Sequence, residues 1–104
     1  MEKKKMLSLK IRIRKNDQHS GKRIQGLLMD LLIKNGVRGT TVWIGVDGFG
    51  KRGKSTLHRE RFTVNMPLII ETVDEQSKLE PLISEIKRIV GRNGIMTTEK
   101  VYSI

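Results

Sequence analysis

The chain has 104 residues and carries 21 Lys and Arg against 11 Asp and Glu, a formal charge of +10. That length suits one domain spanning 1–104 with one core and is too short for two ordinary ones. The absence of cysteine excludes disulfides, thiolate metal sites and cysteine nucleophiles, while the charge points to phosphate-bearing partners: nucleotides, nucleic acid or an anionic membrane face.

The charge is uneven. Residues 1–52 hold 13 basic and 4 acidic groups, and residues 53–104 hold 8 and 7. The start, M-E-K-K-K-M, has the basic flavour of a signal peptide, but the following L-S-L-K-I-R-I-R alternates with charges and offers no unbroken apolar run. Neither a signal sequence nor a membrane span is expected, and the reading is a soluble, cytoplasmic protein.

Leu7, Leu9, Ile11 and Ile13 alternate with Ser8, Lys10, Arg12 and Arg14, the period of a strand with one buried face. Its other face carries three positive charges, read as a solvated face or one turned to phosphate or to another subunit. Asn16 to Gly21 is turn chemistry, with Asp17 or Ser20 available as a helix cap. Ile24, Leu27, Leu28, Leu31 and Leu32 then form one helical stripe, and Gly36 is the expected left-handed stop. The first helix is expected over 21–35.

Gly39 opens a second extended segment, T-T-V-W-I-G-V-D, rich in β-branched residues, in which Trp43 is read as a packing residue or subunit contact. Residues 57–65 show no clean period and fit either the return arm of a long hairpin or an excursion. Pro67 starts P-L-I-I-E-T-V-D, whose apolar run marks a strand more central in its sheet than its neighbours. Its Glu71 is a partner for Lys10 or Arg12 on the neighbouring strand.

A second helix carries Leu79, Leu82, Ile83, Ile86 and Val90 inward, with Asp74 and Ser77 as alternative caps. Because Pro81 cannot sit deep in a helix, the regular helix is expected from Ser77 or Lys78. G-R-N-G at 91–94 ends it, and I-M-T-T-E-K-V-Y-S-I supplies the last strand. The order β-α-β-β-α-β is that of an α+β, ferredoxin-like sandwich, a four-stranded antiparallel sheet with both helices on one face. The other face lacks helices, and oligomerisation through it is the expected remedy.

Between the second and third strands lies the chemistry. Gly48, Gly50 and Gly53 stand beside Lys51, Arg52 and Lys54, with His58, Arg59 and Arg61 just after. Glycines let backbone N–H groups approach an anion while basic side chains neutralise it, so this loop reads as a phosphate cradle. Its letters also spell G-x-G-x-x-G (48–53) and G-x-x-x-x-G-K-S (48–55). Both motifs need a helix directly after the glycines and a parallel sheet around them. Leu57, Phe62 and Val64 make no helical stripe, Pro67 closes the space, and two helices are too few for that fold, so both readings fail.

Catalysis finds little support. His19 and His58, the two histidines, are far apart in polar, basic settings, and no paired carboxylates fall at a spacing that joins them; no catalytic residue and no metal ligand is assigned. A sequence-tolerant RNA or nucleic-acid-binding module is the rival reading, since fold order and charge agree with it. Against it, such domains stack bases on aromatics of their central strands, and the strands at 6–14 and 67–74 contain none.

N-G-V-R-G-T-T-V at 35–42 and G-F-G-K at 48–51 resemble the PII signal-transduction proteins, in which G-x-x-G-x-T-V leads to G-F-G-R at the base of a long loop. With the L-K-I-R-I start, the G-K at Gly21 and the P-L-I-I-E-T-V-D strand, residues 6–102 resemble more closely the small PII-like family known as domain of unknown function one-ninety. The resemblance implies a homotrimer of ferredoxin-like subunits with open sheet faces turned inward and adenine nucleotides in three intersubunit clefts. It implies an adenine contact at Thr41 and phosphate contacts at Gly48, Gly50 and Lys51. It also implies a regulated partner, an enzyme or a membrane transporter, engaged by the long loop, with no tightly bound cofactor.

The departures are informative. Where PII proteins have a glutamine that helps hold magnesium and 2-oxoglutarate, this chain has Arg52, a cation that disfavours a metal there. The PII phosphate loop before the last strand is reduced to G-R-N-G, leaving Arg92 as its substitute. No tyrosine lies in the long loop, so uridylylation is not expected. The candidate nucleotide-binding residues are therefore Thr41, Gly48, Gly50, Lys51, Arg52, Gly53, Lys54, His58 and Arg92.

Overall fold

The computed structural model describes residues 2–50 and 65–104, together with the backbone pairing of 53–54, 58–59 and 62–63. Four strands form one sheet: β1 (Lys4–Arg14), β2 (Thr40–Ile44), β3 (Pro67–Asp74) and β4 (Ile95–Ser103), in the order β4-β1-β3-β2. Every neighbouring pair is antiparallel. Here α1 is Ile24–Lys34, α2 is Gln76–Leu79 and α3 is Ile83–Val90, with a 3₁₀ turn at Glu80–Leu82 between the last two. The arrangement is the expected ferredoxin-like one, with the apolar run of β3 in the sheet's interior beside β1.

Register sorts the side chains. Leu7, Leu9, Ile11 and Ile13 stand opposite Asp74, Thr72, Ile70 and Leu68, and these eight are buried on one face. Ile24, Leu28 and Leu32 of α1 and Leu79, Leu82, Ile86, Ile89 and Val90 of the second helical segment close the core over the aliphatic ones. Ile89 joins the five apolar residues read from the sequence.

Three local details differ from expectation. Ser20 (φ 52°) and Gly21 (φ 80°) are both left-handed and join a short antiparallel pair, Gln18–His19 with Lys22–Arg23, as a two-residue hairpin requires. That hairpin takes the first turn of the expected helix, so α1 begins at Ile24 with Arg23 as its uncapped entry. Asp17 caps no helix: its carboxylate accepts the Arg14 N–H at 2.7 Å and its carbonyl accepts the Ile24 N–H at 2.9 Å.

At the other end of α1, Gly36 is left-handed as expected (φ 70°), and the Val37 N–H bonds the Leu32 carbonyl at 3.0 Å. The second helix starts one residue before Ser77. Pro81 lies in the 3₁₀ turn, where its missing N–H interrupts regular α-helix without ending the segment.

Asp74 is fully buried where β3 meets α2. It accepts the backbone N–H of Arg38 at 2.8 Å and of Glu75 at 2.7 Å, with the Lys78 ammonium 3.5 Å away. Burial pushes its pKa up, but those two N–H groups and the charges of Lys78 and Arg38 outweigh it and hold the carboxyl below its ordinary value. Thr72 donates to the Gly39 carbonyl at 2.6 Å, so both polar residues on this face of β3 tie the chain between α1 and β2.

The face without helices carries Trp43 (56% exposed) and Ile95 (59% exposed). Trp43, Ile69, Arg12 and Ile95 form one row across it, and Thr41, Glu71, Lys10 and Thr97 the next. Lys10 and Glu71 pair at 3.7 Å, as read from the sequence, and Glu71 also accepts the Trp43 indole N–H at 3.2 Å. Ser8, expected on a solvated face, is buried; it is a short side chain between Val73 and Glu99.

Candidate anion-binding cleft

A cleft of about 730 Å³ opens at the end of the sheet where β1 and β2 finish and β3 and β4 start. Arg12 and Arg14 come from β1, Gly45 to Gly50 from the segment leaving β2, Pro67 to Ile69 from β3, and Arg92 to Ile95 from the turn entering β4. Three arginines thus line one space, with the Gly45 to Gly50 segment along its side.

Two close approaches fix this geometry. The Gly45 N–H donates to the Pro67 carbonyl at 2.8 Å, and a methyl group at Gly45 would lie 2.7 Å from the Pro67 ring. Gly94 is tighter: a methyl there would fall 2.0 Å from the Arg12 carbonyl oxygen and 2.8 Å from Ile13. Glycine at 94 lets the 91–94 turn lie flat on β1, which brings Arg92 to the same cleft as Arg12. The Asp47 carboxylate accepts the N–H of Gly48 at 2.8 Å and stiffens the turn leaving β2.

Among the sequence candidates, Gly48, Gly50 and Arg92 line this cleft. Thr41 is exposed on the open face of β2, opposite Glu71 and away from the cleft. Gly50 pairs with Gly53 and Phe49 with Lys54, and His58 pairs with Thr63; the side chains of Lys54 and His58, and Lys51 and Arg52 altogether, lie outside the described residues. The sequence reading missed Arg12, Arg14 and Gly94 as cleft residues. The signal for the arginines was their alternation with Leu9, Ile11 and Ile13, which put them on the open face but could not say which end of it mattered.

His19 stands apart, its Nε2 3.4 Å from Arg88. Arg88 donates to both carboxylate oxygens of Glu85, at 3.0 and 2.5 Å, and these bonds hold the Glu85 pKa below its ordinary value. Among the described residues no group of three His, Asp or Glu gathers to hold a metal, and no helix is long and apolar enough to cross a membrane.

The fold is that of PII-like proteins, a four-stranded antiparallel sheet with its helices on one face. CPII, a nitrogen regulatory PII-like protein from Thiomonas intermedia K12 solved with ADP, AMP and bicarbonate, superposes with a TM-score of 0.77 at 16% identity, covering 98% of this chain and 91% of that one. A putative PII-like signalling protein from Thermus thermophilus superposes with a TM-score of 0.72 at 13% identity, covering 100% and 94%. The chain belongs to the family described as Uncharacterized ACR, domain of unknown function one-ninety, whose model matches residues 6–103. A similar protein, the UPF0166 protein MJ1524 of Methanocaldococcus jannaschii, is 32% identical over 88 residues, 85% of this chain and 82% of that protein.

Proposed function

We propose that this chain is a regulatory, PII-like protein that binds an adenine nucleotide in the cleft at the end of its sheet and thereby modulates a partner protein. The observation that carries the reading is the convergence of Arg12, Arg14 and Arg92 with the Gly45 to Gly50 backbone on one space of about 730 Å³. That volume is in the range of small-ligand sites, roughly 300–1,000 Å³. Guanidinium groups supply charge-assisted, often bidentate, bonds to phosphate oxygens. The adenine assignment draws on the shared fold and on the ADP and AMP held by CPII.

The working unit is a cytoplasmic homotrimer of one-domain subunits associated through the open sheet face. Trp43 and Ile95, exposed in one row of that face, are the apolar surface such an association would bury. Thr41 lies on the same face, so an adenine contact from it would reach a cleft bordered by a neighbouring subunit. Lys51, Arg52, Gly53, Lys54 and His58 are proposed as further phosphate contacts. The role is binding and signalling without turnover: ligand in the cleft biases the loop that leaves it, and the loop engages the partner, an enzyme or a transporter.

The experiment is a thermal-shift series with AMP, ADP, ATP and cyclic nucleotides, combined with a native mass. A ligand that binds only the folded protein adds about 2.7 kcal/mol at a hundredfold excess over Kd, a shift well outside error. No shift with any adenine nucleotide at saturation sinks the reading, and a monomeric native mass sinks the trimer.

A further inference from the structure

The cleft is rich in guanidinium and poor in available carboxylate, which bears on the chemical form of its ligand. Arg12 stands in a row whose other members, Trp43, Ile69 and Ile95, are apolar. Among the described residues, the guanidinium groups of Arg12 and Arg92 form no hydrogen bond and no ion pair. The one carboxylate among the described lining residues, Asp47, already accepts the Gly48 N–H at 2.8 Å.

Magnesium bound to a nucleotide occupies phosphate oxygens in octahedral geometry and keeps several waters. The same oxygens are those that a guanidinium grips in pairs, and a dication among three arginines is repelled. Arginine and magnesium therefore compete for one set of phosphate oxygens, and here arginine is built in.

We infer that the cleft selects the metal-free form of a nucleotide polyphosphate, with Arg12 and Arg92 meeting the phosphate charge that magnesium meets in solution. This rests on the nucleotide reading above and adds the species bound. It also orders the ligands by magnesium sensitivity. ATP, which chelates magnesium most strongly, loses most apparent affinity when the ion is added, ADP loses less, and AMP barely changes.

The test is calorimetric titration of the full chain with ATP, ADP, AMP and inorganic pyrophosphate, each in EDTA and in excess magnesium chloride. Apparent affinity falls with the free-ligand fraction, so ATP binding should weaken about tenfold or more with magnesium present, while AMP serves as the unchanged control. Arg92→Gln, a change at an exposed position, should weaken ADP binding in EDTA about tenfold and leave the unliganded melting temperature in place. Equal or tighter ATP binding with magnesium overturns the inference, as does an Arg92→Gln variant that binds ADP normally. Pyrophosphate binding in EDTA with no nucleotide binding would overturn the adenine reading yet support the metal-free anion site.

Discussion

Replacing Gly94 by alanine adds one methyl group at the point where the turn before β4 lies on β1. That methyl would sit 2.0 Å from the Arg12 carbonyl oxygen, 3.0 Å from its carbonyl carbon and 2.8 Å from the Ile13 side chain. Ordinary carbon contacts are about 3.5–4.0 Å, so the turn must lift by more than an ångström. The nearest obstacle is backbone in an interior strand, which cannot rotate aside as a side chain would. Overpacking of this kind costs about 1–3 kcal/mol, and in a domain of this size each kcal/mol moves the melting temperature by about 4–8 °C. A loss of about 10 °C is expected, measured at fixed protein concentration because the proposed assembly would also contribute to stability. Lifting the turn also carries Arg92 off the cleft, so the nucleotide-induced shift should shrink in the variant. Gly50→Ala is the control: a methyl there meets nothing within 4 Å and should leave stability within about 0.5 kcal/mol. If Gly94→Ala melts with the wild type and keeps its full ligand response, the steric account of this turn is wrong.

Asp74→Ala should cost about 3 kcal/mol, because it strands the part-buried N–H groups that the buried carboxylate now satisfies and leaves Lys78 without it; urea denaturation reads this directly. Since the folded-state pKa of Asp74 is depressed, its stabilisation is present above the unfolded value of about 3.9 and is lost as pH falls through the lower folded value. Asp74→Asn should accordingly flatten the acid limb of the stability profile, and an unchanged limb would place the titration elsewhere. Glu71→Gln keeps an oxygen for the Trp43 indole but removes the ion pair with Lys10; that pair is half-exposed, so its loss should cost under about 1 kcal/mol, and a larger loss with a change in native mass would show that the pair is buried by assembly. Trp43→Glu puts a charge on the open sheet face and should break the proposed trimer, visible by native mass or light scattering, while the far-ultraviolet spectrum stays that of the wild type.

What the chain determines alone is its local periods and stops. The alternation from Leu7 to Ile13, the three-to-four stripe from Ile24 to Leu32 and the left-handed Gly36 each follow from neighbours a few residues apart, so they are legible without a fold. Their order then narrows the topology to one sheet with helices on one side. The short hairpin at 18–23 was hidden because Asp17 and Ser20 suit a helix cap and a turn equally well, and only the Ser20 and Gly21 backbone decides between them.

The glycine loop also read as phosphate chemistry from its letters. The site around it was not legible, because Arg12 and Arg92 are far apart in the chain and meet only where β4 pairs with β1. Gly94 shows the same limit: in the sequence it is one more glycine in a turn, and its necessity arises from a carbonyl oxygen on another strand. Contacts of that separation have no local signature, so the sheet register decides which arginines share the cleft.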